Sequence, residues 1–224
     1  MSTYKGIGEE MIVDYRTLVD APSPRFFKTH LPMSLLPPQL LDTSRVVYIA
    51  RDPRDVAVSC YHHNKLFKMI GFVGDFKDYW TIFRKNLVDW TPFFAHVKEA
   101  WAQRNHPNML FLFYEELSKD LPSNVRRVAN FFGKKYSDEQ IQQLCEHLSI
   151  DKMKNNKSVH PEWMRHSPAV AEGAEGFIRK GDYDLYAVCK VGGWRQYFDE
   201  EMAADAEAWI QDNLKNTDLR FPSV

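Results

Sequence analysis

Apolar positions recur along the chain with two different periods. "VVYIA" (46–50) is a run of β-branched, aromatic and small residues bounded by charge, and it predicts a short buried strand. "NMLFLFYEEL" predicts a second strand ending at Tyr114, and "RFFKTH" (25–30) a third. Elsewhere the period lengthens to that of a helix. In "GDFKDYWTIFRKNLVDW" the apolar set is Phe76, Tyr79, Trp80, Phe83, Leu87 and Trp90. "TPFFAHVKEAWAQRN" gives another amphipathic helix, with Thr91 as its cap and Pro92 following. "SNVRRVANFFG" predicts a helix stopped by Gly133, and "SDEQIQQLCEHL" opens on a capping box from Ser137 to Gln140. "DEEMAADAEAWIQDNLKN" is acidic at its start and basic at its end, as a helix dipole favours. "LPMSLLPPQLLDTS" reads as a loop and short helix broken by prolines, and residues 155–193 as irregular.

Strands that alternate with helices predict an α/β fold with a parallel sheet. Three strands are few for 224 residues. The junction after residue 50 is the most telling. Asp52 suits an N-cap and Pro53 a first helical position, so a helix is expected over 53–67. The C-terminus of a strand opening onto a helix N-terminus is where α/β proteins bind anions. Arg51 stands at that mouth with a guanidinium fork suited to phosphate.

Composition narrows the partners. With 29 Lys and Arg against 30 Asp and Glu, the formal charge is −1, so the chain as a whole has no bias toward nucleic acid or membrane. Any anion site is therefore local. Three cysteines, Cys60, Cys145 and Cys189, with no C-x-x-C spacing argue against a disulfide framework. No apolar run reaches membrane-spanning length and the first residues lack a signal-peptide core, so the chain reads as cytoplasmic.

Several side chains are candidates for chemistry. On a strand, Lys28 and His30 share a face, where an imidazole base and an adjacent ammonium could serve a proton transfer and a departing anion. They equally fit a structural pair at a strand end. Arg51 could hold an anion or pair with Asp52 or Asp55, and Ser59 could be a small packing residue. "FIRKG" (177–181) could form a backbone nest for an anion, with charge from Arg179 and Lys180, or a solvated basic loop. Gly176 and Gly181 begin a Walker A spacing, but Asp182 and Tyr183 occupy its Lys and Ser/Thr places, so that motif is rejected. His62, His63, His160 and His166 lack ligand spacing, with His62 and His63 facing different sides of one helix, so no metal site is expected.

Taken in order, "RFFKTHLP", "YIARDPRDVAVSCYHH", "FLFYEEL", "LSIDKMKNN" and "FIRKG" with "GGWRQYF" resemble the cytosolic sulfotransferase family over roughly residues 25–200. The resemblance implies a P-loop-like parallel sheet flanked by helices, in one domain over 1–224. It implies 3′-phosphoadenosine 5′-phosphosulfate as donor, no metal, and a small hydroxylated acceptor of phenol, alcohol, steroid or terpenoid type. On the matching positions, His30 falls on the catalytic base and Lys28 on the nearby lysine. Arg51, Ser59, Arg179, Lys180 and Gly181 fall on the donor's 3′-phosphate site, and Tyr114 on an adenine-side contact. Ser149 and Met153 fall on the segment lining the nucleotide, where Leu148 and Ile150 depart from the family's threonine and phenylalanine. Three further departures stand out. The family's phosphosulfate loop finds no match before Lys28, which implies a truncated member lacking a strand and impaired in activity, or a non-catalytic relative that binds nucleotide or a partner. "DYDLYAVC" (182–189) reads as an insertion, and 1–24 as an atypical N-terminal segment. The family's dimer motif is matched only at Arg195, so homo-oligomerisation stays open.

Overall fold

A computed structural model describes residues 19, 21–154, 156 and 191–223 of the chain. The described elements begin with a 3-10 turn, Met33–Leu35, and a short helix α1, Leu40–Thr43. Strand β1, Val46–Ala50, leads into α2, Pro53–Leu66, followed by α3, Phe76–Arg84, and α4, Phe93–Ala102. Strand β2, Met109–Phe113, runs directly into α5, Tyr114–Lys119, then α6, Leu121–Phe131, α7, Asp138–His147, and α8, Ile150–Lys154. After the undescribed stretch come a 3-10 turn, Gly193–Gln196, and α9, Glu200–Leu214. Among the described residues no helix is long and apolar enough to cross a membrane.

The sheet is parallel, as the alternation of elements predicts. β1 pairs with β2 in a register running from Val46↔Met109 to Ala50↔Phe113. Among the described residues these are its two strands. The strand expected over 25–30 does not form. That stretch is bracketed by Pro22, Pro24 and Pro32, and Phe26 (79% exposed) and Phe27 (67%) both lie open, so neither face is covered. Lys28 and His30 therefore owe their placement to loop contacts, not to a shared strand face.

Helix ends follow their capping chemistry. Asp52 caps α2 by accepting from the Arg54 N–H at 2.8 Å, with Pro53 in the first turn. At α7 the capping box is closed in both directions: Ser137 N–H to Gln140 Oε1 at 2.9 Å and Gln140 N–H to Ser137 Oγ at 3.3 Å. α6 begins two residues before the expected Ser123, because Asp120 takes the cap. It ends in a Schellman motif, with Gly133 at φ 68°, Gly133 N–H on Asn130 O and Lys134 N–H on Ala129 O. Thr91 does not cap α4. Pro92 holds that position, and the Thr91 hydroxyl turns back to Val88 O. β2 ends one residue earlier than expected, so Tyr114 opens α5.

The core is an aromatic box. Phe76, Tyr79, Trp80 and Phe83 form the buried face of α3. Trp80 meets Phe198 and Trp209 with ring centres 5.0 and 5.3 Å apart, and Trp209 meets Phe94 at 4.8 Å. The apolar period of that segment outruns the helix. α3 stops at Arg84, Asn86 turns to φ 59°, and Leu87 (68% exposed) and Trp90 (40%) emerge from the core. This departure carries Trp90 to the candidate site.

Candidate active site

The sheet register brings Arg51 and Tyr114 together. Ala50 and Phe113 are paired, so the next residue of each strand leaves the same sheet end, about 4.8 Å apart as adjacent strands are. The Arg51 guanidinium carbon lies 4.4 Å from the centre of the Tyr114 ring. One helical turn on, Asp55 Oδ2 stands 3.4 Å from Arg51 Nη2. Arg51 thus has the Asp55 partner that its spacing suggests and also stands at the mouth of the sheet.

Buried carboxylates fix the turn beneath Arg51. Glu115 Oε1 accepts the Asp52 N–H at 2.8 Å. Burial raises the Glu115 carboxyl above its ordinary range, while the hydrogen bond from Asp52 N–H opposes that shift. Asp52 Oδ2 meets Arg54 Nη2 at 2.6 Å, and the Arg54 guanidinium lies 4.1 Å over the Trp194 ring. Asp55 accepts the backbone N–H groups of Gly192 and Trp194, each at 2.9 Å.

Ser59 and His63 follow Asp55 at successive i+4 steps of α2, so the three line one helical face over about 12 Å. The His63 ring lies 5.2 Å from that of Trp90, and the Trp90 ring 4.7 Å from that of His30. His62 points elsewhere, to Tyr197 Oη at 2.7 Å, as adjacent helical positions require.

His30 is held from behind. Its carbonyl accepts from His96 Nε2 at 3.1 Å, and Tyr48 Oη lies 2.7 Å from His96 Nδ1. A neutral His96 that donates from Nε2 must accept at Nδ1, so Tyr48 donates and one tautomer is selected. The His30 ring reaches solvent, yet partial burial lowers its pKa, and the charge of Lys28 lowers it further. The neutral, proton-accepting form is favoured.

Ser149 and Met153 lie at the α7–α8 junction. Ser149 Oγ accepts the Lys152 N–H at 3.4 Å and its carbonyl accepts from Met153 N–H at 2.9 Å. That junction continues the packed series α5–α6–α7–α8 that begins at Tyr114. Arg179, Lys180 and Gly181, the first 18 residues and the expected insertion at 182–189 lie outside the described residues. Sequence reasoning missed Tyr48, Trp90, His96 and Glu115. The signals were there for two of them: Glu115 directly follows the strand-end tyrosine, and His96 sits on the apolar face of its predicted helix.

The sequence profile of the sulfotransferase domain matches residues 5–218. The chain belongs to the sulfotransferase family. Luciferin sulfotransferase of Photinus pyralis is 35% identical over 208 residues, 89% of this chain and 53% of its own length. Human sulfotransferase 1C2 is 30% identical over 201 residues, 89% of this chain and 65% of its own. A crystal structure of retinol dehydratase with androsterone and the inactive cofactor PAP superposes with a TM-score of 0.83 at 54% identity, covering 93% of this chain and 59% of that one. A second, with retinol and PAP, gives 0.82 at 55% identity, covering 92% of this chain and 58% of that one. The chain thus spans between half and two thirds of the length of these relatives. The sulfotransferase fold, with helices around a parallel sheet, is the one the ordered motifs predict.

Proposed function

We propose that this chain binds 3′-phosphoadenosine 5′-phosphosulfate and passes its sulfuryl group to the hydroxyl of a small apolar alcohol. Arg51 and Ser59 take the 3′-phosphate, joined by Arg179, Lys180 and Gly181, and Tyr114 lies on the adenine side. Ser149 and Met153 line the nucleotide. His30 accepts the hydroxyl proton as the acceptor oxygen bonds to sulfur. The sulfur–oxygen bond to the 5′-phosphate breaks, and Lys28 steadies the departing anion. Little covalent work falls to the protein in such an in-line transfer, so position and charge dominate, as in phosphoryl transfer.

One observation carries this reading. The helix that begins beside Arg51 reaches His30 through the His63–Trp90–His30 ring contacts, so the anion grip and the neutral base are linked through one helix. A 3′-phosphoadenosine 5′-phosphosulfate donor is consistent with solved relatives at 54–55% identity that hold PAP. Those relatives also hold androsterone and retinol, which favours an apolar steroid or terpenoid alcohol here. We read the chain as one domain, since Trp209 near its C-terminal end packs on Trp80 and Phe94.

The test is transfer of label from the sulfur-labelled donor to retinol, androsterone and a simple phenol, with His30→Ala as control. Labelled ester above that control supports the reading. Calorimetric binding of adenosine 3′,5′-bisphosphate with no product from any acceptor would make the chain a nucleotide-binding relative instead. Absence of both binding and product defeats the proposal.

A further inference from the structure

Asp55 is engaged from three directions. Its side chain is 2% exposed. Oδ2 meets Arg51 Nη2 at 3.4 Å and the Gly192 N–H at 2.9 Å, and Oδ1 takes the Trp194 N–H at 2.9 Å. These donors come from the strand-to-helix turn and from a segment 137 and 139 positions further along the chain. We infer that Asp55 is the positioning residue of the 3′-phosphate site, a carboxylate that aims Arg51 and fastens Gly192 and Trp194 to the same turn. This inference rests on the nucleotide-binding reading above and names how that site is held together.

The physical case is one of geometry and charge. A guanidinium grips phosphate well only if its fork is aimed before the ligand arrives, because ordering it on binding costs affinity. Among the contacts that aim Arg51, the Tyr114 ring bounds its face and Asp55 takes one end nitrogen. A buried carboxylate tolerates its charge only with hydrogen bonds and a counter-charge, and Asp55 has both. The distant partner is equally specific. Gly192 has φ 76°, a left-handed conformation that favours glycine and turns its N–H toward Oδ2. Trp194, whose N–H completes the clamp, is pinned by the Arg54 guanidinium stacked 4.1 Å over its ring.

An asparagine at this place keeps the shape but loses the charge, and its amide nitrogen faces donors on one side. Calorimetry on the full chain with adenosine 3′,5′-bisphosphate and with adenosine 5′-monophosphate reads the effect as a ratio of affinities. The unaltered chain is expected to prefer the bisphosphate by tenfold or more, as a charge-assisted phosphate contact gives (about tenfold). Asp55→Asn is expected to shrink that preference to about threefold or less while monophosphate affinity changes little. A purely structural role would weaken both ligands together and leave the ratio alone, and that result overturns the inference. Retention of the full ratio in a folded Asp55→Asn chain overturns it as well. Should the asparagine variant not fold, Asp55→Glu decides, because it keeps the charge and displaces the carboxylate: an unchanged ratio refutes the clamp, a reduced one supports it. If the unaltered chain shows no preference for the bisphosphate, the nucleotide reading itself has failed, which the monophosphate comparison separates from failure of the clamp alone.

Discussion

Tyr48 donates its hydroxyl to Nδ1 of His96 across 2.7 Å, and through that ring it reaches the carbonyl of His30. Tyr48 lies inside β1 and His96 inside α4, so a loop residue with no strand of its own is tied to two regular elements. Tyr48→Phe removes the donor and leaves His96 free to change tautomer. The variant is expected to lose about 1 kcal/mol of unfolding free energy in urea melts. Turnover is expected to fall about threefold to tenfold with nucleotide affinity unchanged. Equal losses in turnover and nucleotide affinity would contradict a role confined to His30.

The pH dependence of transfer follows from the lowered pKa of His30. In the proposed transfer the neutral ring is the base, and its pKa lies below the ordinary 6.5 because of partial burial first and the charge of Lys28 next. The acid limb of kcat/KM is therefore expected below pH 6.5. Lys28→Met removes a positive charge and moves that limb upward. For stability the sign is the same. The unfolded chain takes up the proton first as pH falls, so the contribution of this group is complete above 6.5 and is lost through the lower folded value. A limb that rises above 6.5 in the unaltered chain would contradict this environment for His30.

Glu115 titrates in the opposite sense. Burial lifts its pKa above 4.5, so its folded-state contribution is full at low pH and declines as pH rises through the raised value. Glu115→Gln keeps an acceptor for the Asp52 N–H and carries no proton to lose. Urea melts of both chains are expected to show the unaltered protein losing ground to the variant as pH rises from 4.5. Parallel curves would remove the burial argument.

Tyr79 offers a test of the core alone. It is fully buried, and among the described residues its hydroxyl has no hydrogen-bond partner. Burial raises its pKa, with Cys60 and Asp89 adding to the shift. Tyr79→Phe removes a desolvated polar group and keeps the ring, so stability is expected to stay within about 0.5 kcal/mol or rise by about 1 kcal/mol. A loss above about 1 kcal/mol, the worth of a typical hydrogen bond, would mean that the hydroxyl is satisfied.

The strand-to-helix turn was legible because its signals are local. Asp52, Pro53 and the apolar run before them specify strand, cap and helix within ten residues. The parallel pairing followed from the order of elements, whereas the meeting of Arg51 with Tyr114 depends on a register that no local pattern announces. "RFFKTH" misled because strand-forming residue types say nothing about whether a neighbouring strand is present to take its hydrogen bonds. Leu87 and Trp90 misled for a different reason. They continue the helical period, but the left-handed turn at Asn86 ends the helix first. Asp55 could be seen as a partner for Arg51 from its i+4 spacing. Its hold on Gly192 and Trp194 could not, because a contact across 137 residues leaves no local pattern.

Trp90 adopts φ 61°, a region that a bulky side chain enters only at a cost, and it stands between the imidazoles of His30 and His63. The substitution that would relax its backbone most, glycine, is also the one that deletes the ring. Drift at this site is thus trapped: every step toward local comfort breaches the partition between two histidines, and every large replacement inherits the same contorted main chain.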